Sequence, residues 1–150
     1  MVSMRLVNTT ARTMLVVDDN IESGELSCLL LRHAGFRVLN AASGEEARTV
    51  WMNNLSEIRV LLTDCVMADI SGVDLAAQFL REKPTLQVLF MSGHGAEVLD
   101  AESTTSVKPT LIRKPFRSAE LISQVEKAFE TAENSNLISP VQTAETIRLR

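Results

Sequence analysis

Three aspartates, one serine and one lysine of this sequence stand where together they could carry phosphoryl chemistry. Each stands at the end of a short, mainly apolar run; they are Asp18, Asp19, Asp64, Ser92 and Lys114. Neighbouring carboxylates repel one another, and Mg²⁺ removes that conflict because this hard cation prefers oxygen ligands. An aspartate can then attack a phosphoryl donor and form an aspartyl phosphate. In this chemistry Lys114 balances the charge of the transferred group, and Ser92 hydrogen-bonds one of its oxygens.

The apolar runs in front of these residues are short and continuous, which is typical of strands covered on both faces. They cover residues 14–17, 58–63, 86–91 and 111–113, and residues 36–41 add another strand. Apolar residues at helical spacing lie between and after them and predict helices near 26–34, 43–52, 71–83 and 118–129. Gly35 closes the first of these helices, and Ser43 and Ser71 are predicted to cap the second and third.

Five strands alternating with helices predict a doubly wound, flavodoxin-like α/β fold with a five-stranded parallel sheet and right-handed crossovers. In an open sheet of this kind, the functional site lies in the crevice beyond the carboxyl ends of the strands. The five polar residues all follow strands directly. The predicted fold therefore brings them to one edge of the sheet.

The ends of the chain and one internal segment carry weaker patterns. Residues 1–12 are predicted to be an N-terminal extension, residues 13–132 a single domain and residues 133–150 a flexible tail. Between the fourth and fifth strands, the pattern supports only a short helix at residues 96–102, followed by a polar stretch. His94 could border the site, although an exposed loop histidine is the simpler interpretation.

Composition narrows the classes of function. The net charge is −4 and no basic stripe is present, so nucleic acid is not the expected partner. No apolar stretch approaches the length of a membrane span, and the amino-terminal run is too short for a secretory signal. We therefore expect a cytoplasmic protein with no membrane partner. Cys28 lies in a predicted helix and Cys65 follows a predicted strand, and both are interpreted as reduced, buried thiols.

Five segments together resemble the receiver domains of bacterial two-component response regulators. They are Val-Val-Asp-Asp at 16–19, Leu-Thr-Asp-Cys-Val-Met at 62–67, Ser-Gly at 71–72, Phe-Met-Ser-Gly at 90–93 and Lys-Pro-Phe at 114–116. The likeness covers roughly residues 13–132, and the segments occur in the family's order and spacing. The amino-acid sequence around Ser92 and Lys114 is most similar to that of receivers of hybrid histidine kinases. The resemblance implies a sheet with strand order 2-1-3-4-5.

The resemblance also implies a role for each acidic residue. Asp64 corresponds to the phosphoacceptor. Asp19 corresponds to a direct Mg²⁺ ligand and Asp18 to one that acts mainly through water. Asp64 and the backbone carbonyl of Val66 complete the implied ligand set. The implied cofactor is therefore Mg²⁺.

The same resemblance assigns Ser92 and Lys114 to contacts with the phosphoryl group, and it implies a cis peptide bond between Lys114 and Pro115. The implied donor is a phosphohistidine on a histidine kinase or a histidine phosphotransfer domain. A downstream protein target is also expected. The only chemistry is then self-phosphorylation and autodephosphorylation, so the protein is not expected to be an enzyme acting on other substrates. A DNA-binding output domain needs about 60 residues, and fewer than 20 follow the predicted domain. We therefore expect a stand-alone regulator or a receiver separated from a larger kinase.

Two positions depart from the family pattern. Ala68 stands where the family usually has proline, four residues after Asp64, which predicts a loop with more unfolded-state entropy. Leu111 stands where many receivers have a tyrosine or phenylalanine that turns inward on phosphorylation. We expect the aromatic readout to be replaced, and signalling to use a different surface or onward transfer of the phosphoryl group.

Two other functions compete with the phosphorylated receiver. A receiver-like interaction module independent of phosphorylation is kept open by Leu111 and Ala68, and the intact set of polar residues opposes it. An aspartate-nucleophile phosphatase would need a second acidic residue two positions after the nucleophile. Val66 occupies that position, so no general acid is present for a leaving group.

Overall fold

The computed structural model describes residues 12–93 and 110–149, with side chains described as far as Asn134. Within those ranges the strands are β1 (Thr13–Val17), β2 (Arg37–Ala41), β3 (Ile58–Asp64), β4 (Gln87–Ser92) and β5 (Thr110–Arg113). The helices are α1 (Ile21–His33), α2 (Gly44–Asn54), α3 (Gly72–Glu82) and α4 (Ser118–Leu149). The predicted strands are confirmed, and each boundary moves by no more than one residue. The short helix predicted at residues 96–102 lies outside the described residues, as does His94.

All five strands are parallel and form one sheet in the order β2-β1-β3-β4-β5. The predicted fold class and strand order are therefore confirmed. Strand pairing is in register near the site, where Val17 lies opposite Thr63 and Asp64 lies opposite Met91. This register aligns the carboxyl ends of β1, β3 and β4 at one edge of the sheet.

Alternate residues of strand β1 pack into two separate cores, one on each face of the sheet. Met14 and Val16 belong to the core under α1 and α4, which also contains Phe129. Leu15 and Val17 belong to the core under α2 and α3, which also contains Trp51, and that indole stacks on Phe79 at 4.3 Å. Because successive strand residues point to opposite faces, an unbroken apolar run is what a sheet covered on both sides requires.

Helix α4 is longer than its apolar pattern predicts. The sequence pattern placed its end near Phe129, before a flexible tail over residues 133–150, whereas the structure continues the helix to Leu149. That prediction was wrong because the apolar stripe marks only the part of a helix that packs on a core. The last buried described side chain is Ala132, whereas helical backbone hydrogen bonds need no apolar face. The flexibility of residues 133–150 stays a prediction.

No helix among the described residues has both the length and the apolar character needed to cross a bilayer.

Candidate functional site

Three carboxylates meet at the carboxyl edge of the sheet. Asp18 and Asp19 follow β1, and Asp64 is the last residue of β3. Each offers one oxygen, and these oxygens all lie within 4.8 Å of one another. Asp18 is buried, Asp64 is partly buried and Asp19 is exposed. Because β1 and β3 are neighbours in register, their ends cannot diverge, and the sheet itself sets this spacing. Because Asp19 is exposed, the site is open to solvent on that side.

Lys114 supplies the positive charge of the cluster. Its Nζ atom lies 2.8 Å from Oδ2 of Asp18 and 3.7 Å from Oδ2 of Asp64. Its backbone amide donates to the carbonyl of Ser92 at 2.9 Å, which continues the pairing of β4 with β5 beyond the last strand residue. The peptide bond between Lys114 and Pro115 is cis, as the resemblance implied.

Asp18 is fully engaged by protein groups. Lys114 occupies Oδ2, and the backbone amide of Asn20 donates to Oδ1 at 3.0 Å. The side chain of Asn20 caps α1 by accepting from the amide of Ser23 at 2.9 Å. The start of α1 therefore orients the buried carboxylate of Asp18.

The environment of Asp64 raises the pKa of its carboxyl. Burial is the main cause that raises the pKa of this carboxyl above 3.8, and the charges of Asp18 and Asp19 raise it further. Lys114 and a hydrogen bond from the backbone amide of Cys65 oppose the rise without cancelling it. Burial and the neighbouring acids thus destabilise the charged form of Asp64, and a further nearby cation would stabilise it. This condition favours binding of a divalent ion.

The loop after Asp64 turns tightly back against that residue. The amide of Gly72 donates to the carbonyl of Cys65 at 2.9 Å. A Cβ atom at Gly72 would lie 2.0 Å from the backbone oxygen of Asp64, so only glycine fits there. Ser71 caps α3 by accepting from the amide of Asp74 at 3.1 Å, as its position in the sequence predicts. Gly72 was noticed only as part of a family motif, because a close backbone approach leaves no local sequence signal.

The remaining predicted residues lie as follows. Ser92 is buried at the end of β4, next to the strand residue that pairs with Asp64. Val66 lies in the loop after β3, and half of its surface is exposed. Leu111 is partly buried, lies opposite Phe90 in the sheet and packs against the core under α2 and α3. Leu111 is therefore an ordinary packing residue in this structure.

Sequence reasoning missed one carboxylate near the site. Asp69, in the loop between β3 and α3, accepts hydrogen bonds from the amides of Gly44 and Glu45 at the start of α2, at 3.2 and 3.0 Å. In the same loop, the amide of Ala68 donates to Oδ2 of Asp19 at 3.1 Å. These contacts join residues 24 to 49 positions apart, and no periodic or capping pattern in the sequence indicates them.

Comparison with known proteins agrees with this architecture. The family model of the response regulator receiver domain matches residues 14–126. The response regulator receiver protein CpdR of Brucella abortus is 30% identical over 118 residues, which cover 77% of this chain and 94% of that protein. The sensor kinase CckA of the same organism is 27% identical over 120 residues, covering 79% of this chain but only 12% of the kinase.

Solved structures give the same result. A response regulator receiver domain protein from Clostridium thermocellum superposes with a TM-score of 0.71 at 26% identity, covering 81% of this chain and 96% of that one. The receiver domain of the hybrid histidine kinase CckA superposes with a TM-score of 0.67 at 28% identity, covering 78% and 98%. The resemblance identified from five short sequence segments is confirmed.

Proposed function

The chain belongs to the response regulator receiver domains of two-component systems, and from that premise we propose that it accepts a phosphoryl group on Asp64 with the help of Mg²⁺. The observation that carries the proposal is the grouping of three carboxylate oxygens within 4.8 Å of one another, with an ammonium group 3.7 Å from Asp64. An aspartate that only caps a loop would not need two further acids and a lysine from two other segments of chain.

Asp64 is the proposed nucleophile. Its carboxylate oxygen attacks the phosphorus of a phosphohistidine whose other ring nitrogen carries a proton. The phosphorus–nitrogen bond breaks, its electron pair goes to the nitrogen, and the imidazole leaves as the neutral ring. The product is an aspartyl phosphate on Asp64. Hydrolysis by water returns the carboxylate and inorganic phosphate. Because Asp64 is partly buried at the open edge of the sheet, a donor side chain can approach from the solvent side.

The donor set fits Mg²⁺, which takes oxygen ligands and keeps several waters. Asp19 and Asp64 would hold the ion together with the backbone carbonyl of Val66. Asp18 already accepts from Lys114 and Asn20, which suits a contact through water better than a direct one. When bound, the ion neutralises charge on the carboxylates and on the transferring group.

Lys114 and Ser92 are proposed to contact the phosphoryl oxygens. Nζ of Lys114 needs to shift only from Asp18 towards Asp64, and it already lies 3.7 Å from the acceptor carboxylate. The amide of Lys114 is hydrogen-bonded to the carbonyl of Ser92, so the two residues are connected through the β4–β5 pairing. A phosphoryl group bound by both would therefore fix the relative position of these strand ends.

Receiver domains exchange phosphoryl groups with histidine kinases or phosphotransfer proteins, and we propose that one of these is the donor here. A downstream protein is the proposed target, with neither nucleic acid nor membrane as the partner. No reaction on a separate small-molecule substrate is proposed. Leu111 packs in the core in place of an aromatic residue, so the proposed readout does not use an aromatic rotation.

The test is the intact mass of the protein after incubation with Mg²⁺ and a small-molecule phosphodonor such as acetyl phosphate. We expect one added phosphoryl group in the wild type and none in Asp64→Asn. Asp74→Asn is the matched control, because Asp74 is an exposed acid on α3, and it should be labelled like the wild type.

Labelling of Asp64→Asn would show that the acceptor lies elsewhere. The proposal would be contradicted if neither an active small-molecule donor nor a phosphorylated histidine kinase labelled the wild type. That second result would favour an interaction module independent of phosphorylation, in which the fold is kept and the site is unused.

A further inference from the structure

The amino terminus of α2 is capped by two different parts of the chain. Ser43 accepts from the amide of Glu46 at 3.0 Å, and the side chain of Glu46 accepts from the amide of Ala42 at 3.1 Å. This local cap leaves the amides of Gly44 and Glu45 without an intrahelical acceptor. The carboxylate of Asp69 accepts from both. The loop between β3 and α3 therefore completes a helix cap that the local sequence begins.

The same loop is held on its other side by the acidic cluster. Immediately before Asp69, the amide of Ala68 donates to Oδ2 of Asp19 at 3.1 Å. Proline has no amide hydrogen, so this bond could not form if the proline usual in the family stood at position 68. The departure from the family pattern thus adds a hydrogen bond to a carboxylate of the site.

Packing keeps the loop and the helix in close contact. Ile70 lies against Gly44, where an added Cβ atom would come within 2.1 Å of its Cγ2 atom. Asp69 itself is exposed, and its hydrogen bonds to α2 hold the pKa of its carboxyl below the usual value. The carboxylate is consequently charged at neutral pH and faces the positive end of the α2 dipole.

We propose that Ala68 and Asp69 form a two-point latch that positions Asp19 and the Val66 segment of the loop for Mg²⁺, in place of the rigidity a proline would supply. One point is the Ala68 amide on Asp19, and the other is the Asp69 carboxylate on the first amides of α2. Asp69 is a positioning residue, because it acts on the ion through the loop and touches none of the three clustered acids. The inference rests on the proposed Mg²⁺ site.

The first test is the affinity for Mg²⁺, measured by calorimetry on the full chain without phosphodonor. Partners that orient metal ligands change affinity by about 10–100-fold, and a partner one step further out should change it by about 3–10-fold. We therefore expect Asp69→Ala to weaken binding by about 3–10-fold. Asp69→Asn keeps one acceptor oxygen, so its affinity for Mg²⁺ should lie between those of the wild type and Asp69→Ala. Asp74→Ala removes an exposed acid outside the latch and should match the wild type.

A second pair of variants addresses the other point of the latch. Ala68→Pro removes the amide hydrogen that Asp19 accepts, and Ala68→Gly keeps it. We expect about tenfold weaker Mg²⁺ binding for Ala68→Pro, whatever its melting temperature, and near wild-type binding for Ala68→Gly. Ala68→Pro binding Mg²⁺ as tightly as Ala68→Gly would overturn the role of this hydrogen bond.

Amide hydrogen exchange in the metal-free protein tests the latch without any ion. The Ala68 amide should exchange slowly in the wild type and about tenfold faster in Asp69→Ala, because release of one point loosens the other. Asp69→Ala with unchanged Ala68 exchange and unchanged Mg²⁺ affinity overturns the inference alone. Wild-type protein that neither binds Mg²⁺ nor accepts a phosphoryl group overturns the proposed function and the inference with it.

Discussion

The ammonium group of Lys114 lies 2.8 Å from Oδ2 of Asp18, a carboxylate whose side chain is fully buried. The two residues are 96 positions apart and come from opposite ends of the domain. Their ion pair joins the end of β1 to the segment after β5. It also sets the resting position of the lysine, which must leave Asp18 at least in part to contact a phosphoryl group on Asp64.

Removing this lysine should destabilise the metal-free protein. Lys114→Met leaves the buried Asp18 carboxylate without its cation, and breaking fully buried pairs costs about 3–5 kcal/mol. Because Lys114 is 21% exposed, we expect a loss nearer about 2 kcal/mol in the free energy of unfolding. Urea denaturation without Mg²⁺ measures it.

A double-mutant cycle separates the pair from other losses at the site. Asp18→Asn combined with Lys114→Met removes both charges, and the double variant should lose less than the sum of the single variants by about 1–3 kcal/mol. Additive losses would show that the ion pair contributes nothing to the stability of the site.

Asp64→Asn should stabilise the metal-free protein at neutral pH. Burial and the charges of Asp18 and Asp19 raise the pKa of Asp64 in the folded state, so folding favours its protonated form. The stability of the wild type therefore falls as pH rises from 3.8 through the raised folded pKa, and the neutral amide avoids that fall.

Thermal denaturation at several pH values checks this expectation. The difference between Asp64→Asn and the wild type should grow with pH over that window and stay constant above it. Addition of Mg²⁺ should raise the melting temperature of the wild type more than that of Asp64→Asn. A variant less stable than the wild type at neutral pH would contradict the electrostatic account.

Asp69 should contribute stability in the opposite sense. Its hydrogen bonds to the amides of Gly44 and Glu45 hold its pKa below 3.8 in the folded state. That contribution is present above pH 3.8 and is lost as pH falls through the lower folded value. The stability difference between the wild type and Asp69→Asn should therefore shrink in acid, and an NMR titration of the Asp69 carboxyl carbon gives the pKa directly.

Gly72→Ala should displace the loop beside the phosphoacceptor. A Cβ atom there would lie 2.0 Å from the backbone oxygen of Asp64, and backbone cannot move aside as a flexible side chain does. We expect a loss of about 1–3 kcal/mol in the free energy of unfolding, together with weaker phosphoryl labelling. Gly93→Ala is the control, since no atom of the residues that the structure describes lies within 4 Å of its added Cβ atom, and it should stay within about 0.5 kcal/mol.

The strands and the grouping of most site residues follow from the sequence because their causes are local or periodic, whereas the strand order was implied by the resemblance to receiver domains. The apolar runs before Asp18, Asp64, Ser92 and Lys114 mark strands covered on both faces, and parallel strands present their carboxyl ends at one edge. Residue type alone then indicates a site for a divalent ion and a phosphoryl group. The end of α4 was predicted wrongly, because apolar periodicity reports packing on a core, and the helix continues past the last core residue.

Contacts between distant loops were decided only by the tertiary structure. Asp69 carries no signal in the sequence for the amides of Gly44 and Glu45, since a cap supplied from about 24 residues away has no spacing rule. The replacement of proline by Ala68 was interpreted from the sequence as a gain in unfolded-state entropy. The structure shows that the amide hydrogen gained there donates to Asp19. Residue types determine the local chemistry, whereas the partners of backbone amides depend on which loops the folded sheet brings together.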